Sequence, residues 1–259
     1  MSTLSGKWAL VTGATAGLGL AIAESLAAVG ASLVVHDLAA PRDVADDLKS
    51  RFGVDTISVA ADLSRRSDIE AMMGDLLTRH DGIDILVNNA VVRHFSLVEN
   101  FSPEGWDEAL AVNLSAPFHL ARLVLPAMKR RGFGRIINLG SIYSTRAVAE
   151  RIDYVTTKTA IIGMTRAIAI ETAATNITCN ALCPGTLPTP AIQSKIATAA
   201  AQDGRSIDEA TRKYLATRQP SGRFVATEGV GAMTVFLCGP AGRDITGAAL
   251  PIDGGWSIA

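Results

Sequence analysis

The sequence predicts an α/β fold, a doubly wound parallel sheet covered by helices on both faces. Short runs rich in Val, Ile and Leu alternate with longer stretches of helical period, which is the pattern of repeated βαβ units around a buried sheet. The 259 residues are 48% hydrophobic, and a chain of this size buries about 70 to 75% of the surface that it exposes when unfolded. Because neither a fixed-period repeat nor a low-complexity tract is visible, we expect a single domain over residues 1–259.

The predicted elements follow one another along the chain. Seven apolar runs are predicted as parallel strands, in the order WALVTG, SLVVHD, TISVAAD, DILVNNA, GRIINLGS, NITCNALCPG and AALPIDGG. Between them, Ala, Leu or Ile recurs at three and four positions, which predicts helices near residues 18–29, 66–80, 104–131, 153–174 and 227–238. Residues 186–222 are polar and basic and contain no strand run. Their two short helical patterns, PAIQSKIATAAA and SIDEATRKYLATR, predict a surface insertion that could act as a lid.

Charge and cysteine content exclude several classes of function. The 24 basic and 25 acidic side chains give a net charge of −1 and a pI near 6.4, so no broad positive field attracts nucleic acid or a membrane surface. Three cysteines and four histidines suggest neither a disulfide framework nor a metal site. Cys179 and Cys183 are interpreted as small core residues rather than as a redox pair. The stretch MSTLSGKWALVTG has no charged leader before an apolar segment, and we expect a cytoplasmic protein.

The first chemical signal is the stretch TGATAGLG, which follows a predicted strand directly and begins a helix. Gly13, Gly17 and Gly19 permit a tight turn and a close backbone approach, so that amides at the start of the helix can face a pyrophosphate. The spacing differs slightly from GxGxxG, and an ordinary strand-to-helix connection is the alternative reading of this stretch alone.

Acidic residues at the ends of the next two strands are further indications of a dinucleotide-binding site. Asp37, at the end of the second strand, can accept hydrogen bonds from both hydroxyls of an adenosine ribose and would repel a 2′-phosphate. Neither Ala16 nor Leu38 supplies the cation that NADP would need, so NAD is the predicted cofactor. The alternative is that Asp37 is only a turn residue. Asp62 could meet the adenine edge or could cap the helix that follows.

Tyr154 and Lys158 are four positions apart in a predicted helix and therefore share one face. An ammonium held near a phenol favours the phenolate, which can then take a proton from an alcohol while hydride leaves the carbon. Ser141, at the end of the strand GRIINLGS, is expected at the same edge of the sheet, where its hydroxyl can donate to a substrate oxygen. Asn113 interrupts a predicted helix, and its amide needs a buried partner. The alternative for Asn113 is a local irregularity of the helix.

These motifs together identify the chain as similar to the short-chain dehydrogenase/reductase family over essentially its whole length. The resemblance rests on TGATAGLG, NNA at residues 88–90, Asn113, Ser141, the Tyr154–Lys158 pair and PGTLPT at residues 184–189. It implies a Rossmann-type fold. The family usually has Gly after NNA, where this chain has Val91.

The resemblance also implies roles for individual residues. Tyr154 would be the acid/base, Ser141 would orient the substrate oxygen, and Lys158 would bind the nicotinamide ribose while lowering the pKa of the tyrosine. Asn113 would support a water that relays protons. Contacts with NAD are expected from Tyr154, Lys158 and further residues: Gly13, Thr15, Gly17, Leu18, Gly19, Asp37, Asp62, Leu63, Asn89, Ala90, Pro184, Gly185, Leu187 and Thr189.

Several cations border the expected nicotinamide end and suggest an anionic substrate, most simply a carboxylate. The candidate substrate residues are Ser141, Arg93, His94, Tyr143, Arg151 and Lys195. Within the family the chain is most similar to 3-hydroxybutyrate dehydrogenases and to dehydrogenases of keto-deoxy sugar acids. The hydroxybutyrate enzymes typically carry Gln, His, Lys and Gln where Arg93, Tyr143, Arg151 and Lys195 stand here. A polyhydroxy substrate or one with a second carboxylate would suit the extra arginine.

The sequence therefore predicts an NAD-dependent dehydrogenase that acts on a small hydroxy acid, as a homotetramer by family analogy. The helices predicted at 104–131 and 153–174 would form one interface. Two alternatives remain: a dehydrogenase for a neutral alcohol, such as a sugar, steroid or cyclic diol, and a dinucleotide-binding module without catalysis.

Overall fold

The computed structural model describes residues 4–259, and within that range seven strands form one parallel sheet in the order β3-β2-β1-β4-β5-β6-β7. The strands are β1 Trp8–Thr12, β2 Ser32–Asp37, β3 Thr56–Ala60, β4 Ile85–Asn88, β5 Gly134–Leu139, β6 Ile177–Pro184 and β7 Ala249–Ile252. Because β1 pairs with both β2 and β4, the strand order reverses there, and such a reversal opens a crevice at the carboxyl edge of a parallel sheet. The predicted fold class is confirmed.

The helices cover both faces of the sheet. They are α1 Gly17–Ala27, α2 Arg42–Phe52, α3 Arg66–Arg79, α4 Pro103–Leu110, α5 Ala116–Arg131, α6 Ile152–Thr172, α7 Pro190–Asp203, α8 Ile207–Ala216 and α9 Thr227–Cys238. Alternate side chains of a strand face opposite sides, so Val11 packs with α1, α2 and α9, whereas Leu10 packs with α3, α5 and α6. Cys179, Cys183 and Cys238 are buried free thiols, as expected of small core residues.

One helix, α2, was not predicted from the sequence. Its apolar positions are few and its mean hydropathy is low, because most of its exposed face is charged. No side chain caps its start at Pro41 within the described chain, and Gly53, in the left-handed conformation, ends it. The two patterns within residues 186–222 form α7 and α8.

The long helix predicted over residues 104–131 is interrupted. A π-helical turn, Ala111–Ser115, separates α4 from α5, and such turns often occur at functional sites. By length and hydropathy alone, the 29-residue stretch Pro103–Arg131 could cross a membrane. Here its buried side packs on α3, β4, β5 and α6, as a core helix does.

Candidate active site

A cavity of about 820 Å³ runs along the carboxyl edge of the sheet. One end is bordered by the glycine turn between β1 and α1 and by Asp37. The middle contains Ser141, Tyr154 and Lys158, and the far end is covered by α7 and by residues near the end of α8. The strand ends thus bring together residues that are far apart in the sequence, which is the usual position of a ligand in an open α/β sheet.

The glycine turn has the geometry that close contact with a ligand requires. Gly13 and Gly17 have φ angles of +63° and +56°, which favour glycine. At Gly19 a Cβ atom would lie 2.2 Å from the carbonyl oxygen of Gly13. Within the described residues, α1 begins at Ala16 without a side-chain cap or an acidic residue in its first turn. Its first amides are therefore open toward an anion, which fits a dinucleotide pyrophosphate.

Asn89 fastens the end of β4 to the glycine turn. Its side-chain amide donates to the carbonyl oxygens of Thr12 and Gly13, both at 2.9 Å. The hydroxyl of Thr12 in turn accepts hydrogen bonds from the amides of Asn89 and Ala90, both at 3.0 Å. These four hydrogen bonds tie the two loops together on this side of the cavity, and Val91, in the place of the usual Gly, lines the cavity wall beside them.

Asp37 lies at the end of β2 with its carboxylate already oriented. The Thr15 hydroxyl donates to Oδ2 at 2.5 Å, and the Leu38 amide donates to Oδ1 at 2.8 Å. Asp37 lines the cavity, while Thr15 is not among the lining residues and acts by holding this carboxylate. A direct contact of Thr15 with the cofactor stays a prediction, and its hydroxyl contributes to the site by orienting Asp37.

Asp62 lies after β3 and does not cap the next helix, so that reading of the sequence was wrong. The residue at the start of α3 is Arg65, and Asp62 instead accepts hydrogen bonds from the amide and hydroxyl of Ser64 at 2.9 and 2.7 Å. These bonds lower the pKa of the Asp62 carboxyl. Asp62 and Leu63 both line the cavity, where the adenine-edge reading remains open.

Tyr154 and Lys158 lie on one face of α6, buried to 8% and 4% exposure. The Lys158 Nζ atom is 5.7 Å from the centroid of the Tyr154 ring and donates to the carbonyl oxygen of Leu139 at 2.5 Å. Burial raises the pKa of the Tyr154 phenol, but the charges of Lys158 and Arg93, with a hydrogen bond from Ser141, outweigh it. The pKa of Tyr154 therefore lies below 10.0, while burial lowers that of Lys158.

Ser141 follows β5 and begins a short 3₁₀ turn, Ile142–Ser144. Its hydroxyl oxygen accepts from the Tyr143 amide at 3.2 Å, and its own amide donates to the Ser144 hydroxyl at 3.1 Å. The Ser144 hydroxyl also donates to the carbonyl oxygen of Lys158 at 2.6 Å. This link fixes the loop that carries Ser141 to the helix that carries Tyr154 and Lys158.

Asn113 lies in the π turn. Both predictions for this residue, a buried hydrogen-bond partner and a local irregularity of the helix, describe it. Its side-chain oxygen accepts from the Val92 amide at 2.9 Å, and its nitrogen donates to the Val92 carbonyl at 3.0 Å and to the Thr157 hydroxyl at 3.4 Å. The side chain is 2% exposed and is not among the residues that line the cavity. Asn113 thus has a buried partner and also lies at a helix irregularity.

Of the candidate substrate residues, Arg93, Ser141, Tyr143, Arg151 and Lys195 line the cavity. His94 does not. Its ring nitrogens lie 3.1 Å from Asp153 Oδ2 and 3.1 Å from Glu108 Oε2, so both are already engaged with carboxylates. A substrate contact by His94 therefore stays a prediction, and the ring is held by a buried carboxylate on α6.

The arginines lie against the reactive tyrosine. The guanidinium carbon of Arg151 is 4.6 Å from the centroid of the Tyr154 ring, and that of Arg93 is 5.3 Å from it. Arg151 also stacks on Phe95 at 4.3 Å. Both cations therefore act on the same phenol as Lys158 does.

Several lining residues were missed by sequence reasoning: Phe95, Tyr214, Arg218 and Trp256. Arg218 stacks on Tyr214 at 4.1 Å from its ring centroid, and the Trp256 ring is 5.8 Å from that of Tyr143. For Tyr214 and Arg218 the only signal was the polar, basic composition of residues 186–222, and no pattern in the sequence pointed to Phe95 or Trp256.

The cofactor residues predicted after β6 also border the cavity. Pro184, Gly185, Leu187 and Thr189 are among its lining residues. The Thr189 hydroxyl accepts from the Ile192 amide at 3.4 Å and caps the start of α7. Among residues 4–259, no group of three or more His, Cys, Asp or Glu side chains is arranged to hold a metal ion.

Comparison with known proteins places this geometry among oxidoreductases. A family profile described as "Enoyl-(Acyl carrier protein) reductase" matches residues 13–257. A D-beta-hydroxybutyrate dehydrogenase of Cupriavidus necator is 42% identical over 254 residues, 98% of each chain. A 2-dehydro-3-deoxy-D-gluconate 5-dehydrogenase of Bacillus subtilis is 34% identical over 98% of this chain and 96% of its own. A crystal structure of L-sorbose reductase from Gluconobacter frateurii, complexed with NADPH and L-sorbose, has a TM-score of 0.93 at 30% identity and covers 100% of this chain and 99% of that one.

Proposed function

Because the chain belongs to the short-chain dehydrogenase/reductase family, we propose that it transfers a hydride between NAD and the secondary alcohol of a small hydroxy acid. The observation that carries this proposal is the buried Tyr154–Lys158 pair, which lies in the same cavity as the glycine turn. The hydroxy acid would resemble 3-hydroxybutyrate or a sugar acid, in line with the relatives named above.

NAD held at the glycine turn and beside Lys158 would supply the hydride acceptor for the oxidative direction. The phenolate of Tyr154 takes the hydroxyl proton of the alcohol, so that a carbonyl group forms as the C–H bond breaks. Ser141 donates a hydrogen bond to the substrate oxygen. Lys158 keeps the phenol acidic by its charge and would bind the nicotinamide ribose. Two electrons and one proton leave the carbon as hydride, and the second proton goes to Tyr154.

Asn113 would act indirectly, by positioning other residues and without touching the substrate. Its amide holds Val92 through two hydrogen bonds and contacts Thr157 on α6. It therefore supports the strand end beside Arg93 and the helix that carries Tyr154. By analogy with the family, the proposal also gives Asn113 the role of supporting a water molecule that relays protons from Lys158.

The preference for NAD is supported by Asp37. Thr15 and Leu38 hold its carboxylate in place, where it would repel a 2′-phosphate. Among the described residues, the lining at this end includes Ala16, Leu38 and Leu63 and no Lys or Arg. The L-sorbose reductase complex contains NADPH, so the comparison of the two cofactors tests this assignment directly.

A carboxylate substrate is supported by the cations Arg93, Arg151 and Lys195 at the other end. The alternative, a neutral sugar alcohol, is favoured by the structural similarity to L-sorbose reductase. Purified protein should be assayed with NAD and NADP against 3-hydroxybutyrate, sugar acids and neutral polyols in both directions. Faster turnover of the hydroxy acids is expected, and consistently faster turnover of the neutral compounds would overturn the proposal.

A homotetramer in the cytoplasm completes the proposal. Two apolar side chains on the helices expected at one interface are largely exposed in the single chain: Phe118 at 50% and Ile170 at 76%. Burial of such groups between copies would stabilise an assembly. Light scattering coupled to size-exclusion chromatography should give four times the mass of 27.1 kDa, and a monomer would refute this part.

A further inference from the structure

The substrate end of the cavity carries a surplus of positive charge. Two carboxylates line it, Glu108 and Glu150, and Glu108 is already engaged with His94 at 3.1 Å. The cations that line the same end are Arg93, Arg151, Lys158, Lys195 and Arg218. Five cations against two carboxylates leave an excess of three positive charges. Asp37 and Asp62 do not offset it, because they border the opposite end.

Among the described residues none of these five cations has a carboxylate partner, and Lys158 donates instead to the carbonyl oxygen of Leu139. Among residues 4–259, Arg93, Arg151, Lys195 and Arg218 form no ion pair within 4.0 Å of a carboxylate oxygen. Burial lowers the pKa of the Arg151 guanidinium and the charge of Arg93 adds to this effect, whereas Tyr154 and Asp153 act in the opposite direction. Two like charges beside the buried Tyr154 ring repel each other, and an anion bound between them would offset that cost.

The cations form two groups in different parts of the cavity. The first group, the tyrosine-side cations, is Arg93 and Arg151, which both lie against Tyr154. The second group, the lid-side cations, is Lys195 on α7 and Arg218 just after α8. Lys195 and Arg218 both belong to the insertion predicted at residues 186–222.

Tyr143 lies within the electrostatic influence of both groups. Its ring centroid is 6.2 Å from that of Tyr154, and burial raises the pKa of its phenol. The charges of Arg218 from one group and Arg151 from the other lower that pKa. A ligand beside Tyr143 is therefore near cations of both groups.

We propose that the substrate is a small hydroxy dicarboxylate, with one carboxylate bound by the tyrosine-side cations and the other by the lid-side cations. The inference rests on the proposed function and refines its substrate class. A guanidinium presents a planar fork that pairs well with a carboxylate. Because the cations belong to two separate segments of the cavity wall, two separate anionic groups fit them better than one phosphate ester, which concentrates its charge at one point. The alcohol carbon lies between the two carboxylates, next to Tyr154.

The first experiment compares compounds that differ in one group. Malate is 3-hydroxybutyrate with its methyl group replaced by a carboxylate, and 3-hydroxyglutarate carries a carboxylate on each arm of the alcohol. With NAD, both enantiomers of malate and of 3-hydroxybutyrate, and the achiral 3-hydroxyglutarate, we expect kcat/KM for the better dicarboxylate to exceed that for 3-hydroxybutyrate by at least about ten-fold. Equal or faster turnover of 3-hydroxybutyrate overturns this inference but leaves the proposed function intact. Turnover of neutral alcohols alone overturns both, and a preference for 3-phosphoglycerate favours a phosphate site instead.

A binding measurement keeps the inference testable where turnover is slow. Succinate and butyrate differ only in a carboxylate that replaces a methyl group, and neither has an alcohol to oxidise. Calorimetry with the NADH-loaded protein should show succinate bound at least about ten-fold more tightly than butyrate. Equal affinities would overturn the two-carboxylate site even if the enzyme proves to be a dehydrogenase.

Matched variants locate the second carboxylate. Arg218→Met should lower kcat/KM for the dicarboxylate by about ten-fold or more and that for 3-hydroxybutyrate by less than about three-fold. Arg212→Met is the control, because Arg212 is an exposed cation of α8 that does not line the cavity. Equal losses for both substrates in Arg218→Met, or equal effects of the two variants, would overturn the assignment of Arg218.

Discussion

Asp153 accepts two hydrogen bonds from His94, one from the main-chain amide at 3.0 Å and one from ring Nδ1 at 3.1 Å. The carboxylate is fully buried and lies one residue before Tyr154. This pair joins the loop after β4 to the first turn of α6. Arg93 and Arg151, close by on the two joined segments, are thereby held against the Tyr154 ring.

Replacing His94 should therefore loosen the site and the fold together. We expect His94→Ala to lower the free energy of unfolding by about 1 to 3 kcal/mol, because the buried Asp153 loses a partner. Urea denaturation measures the loss. Glu108→Gln is the control, since it weakens only the exposed side of the imidazole and should cost less than about 1 kcal/mol. Equal losses in the two variants would show that Asp153 does not depend on the ring.

Tyr154→Phe tests the acid/base assignment. The ring should keep its packing on α6, so the far-ultraviolet circular dichroism should not change. Loss of the hydroxyl should lower kcat by about 10² to 10⁴. A variant that keeps turnover of the best substrate within about ten-fold of the wild type would contradict the assignment.

The pH at which kcat/KM for alcohol oxidation rises should depend on the cations around Tyr154. Its pKa lies below 10.0, since nearby positive charges outweigh burial. The phenolate is the base and is populated above this pKa, so kcat/KM for alcohol oxidation should rise with pH and level off above it. Arg151→Met removes one of these charges and should move the rise to higher pH, whereas Arg212→Met should leave it in place. Identical profiles for the wild type and Arg151→Met would refute the coupling.

Asp37 should determine the choice of cofactor. With the wild type we expect KM for NADP to exceed that for NAD by at least about ten-fold, because the 2′-phosphate faces a fixed carboxylate. Asp37→Ser should reduce this ratio, mainly by lowering KM for NADP. Asp43→Ser, on the exposed side of α2, should not alter it. Equal use of NAD and NADP by the wild type would refute the role of Asp37.

Glu150 has a backbone conformation that disfavours its side chain. Its φ angle is +64°, the one positive value among the non-glycine residues from 4 to 259. A left-handed residue other than glycine costs about 1 to 2 kcal/mol, so Glu150→Gly should be more stable than Glu150→Val by at least about 1 kcal/mol. The control position is Glu104, in the first turn of α4. There Glu104→Gly should not be more stable than Glu104→Val, because glycine has the lower helix propensity. Thermal unfolding of the four variants decides the matter.

The sheet was predictable because each strand is a dense run of β-branched and apolar residues, and its two faces are both buried. The glycine turn, Asp37 and Ser141 could be placed at one edge from strand direction, and helical spacing put Tyr154 and Lys158 on one face, while the resemblance to the family placed that face beside them. The helix α2 could not, since its charged face conceals the apolar positions Val44 and Leu48.

Side-chain choices within the site were harder to predict. His94 has two carboxylates within reach, and only the packing of α6 against the loop after β4 shows that Asp153 and Glu108 hold it. Asp62 bonds Ser64 instead of capping α3, which is a choice between two short local bonds. Arg218 and Trp256 reach the cavity from segments that have no periodic pattern.

The bare start of α1 has a consequence for the lifetime of the protein. A dinucleotide that engages those amides supplies the cap that the described chain does not provide with a side chain. Ligand present at 100 times its dissociation constant stabilises a folded protein by about 2.7 kcal/mol. A folded chain that holds its dinucleotide should therefore unfold, and be cut by proteases, less often than the empty one.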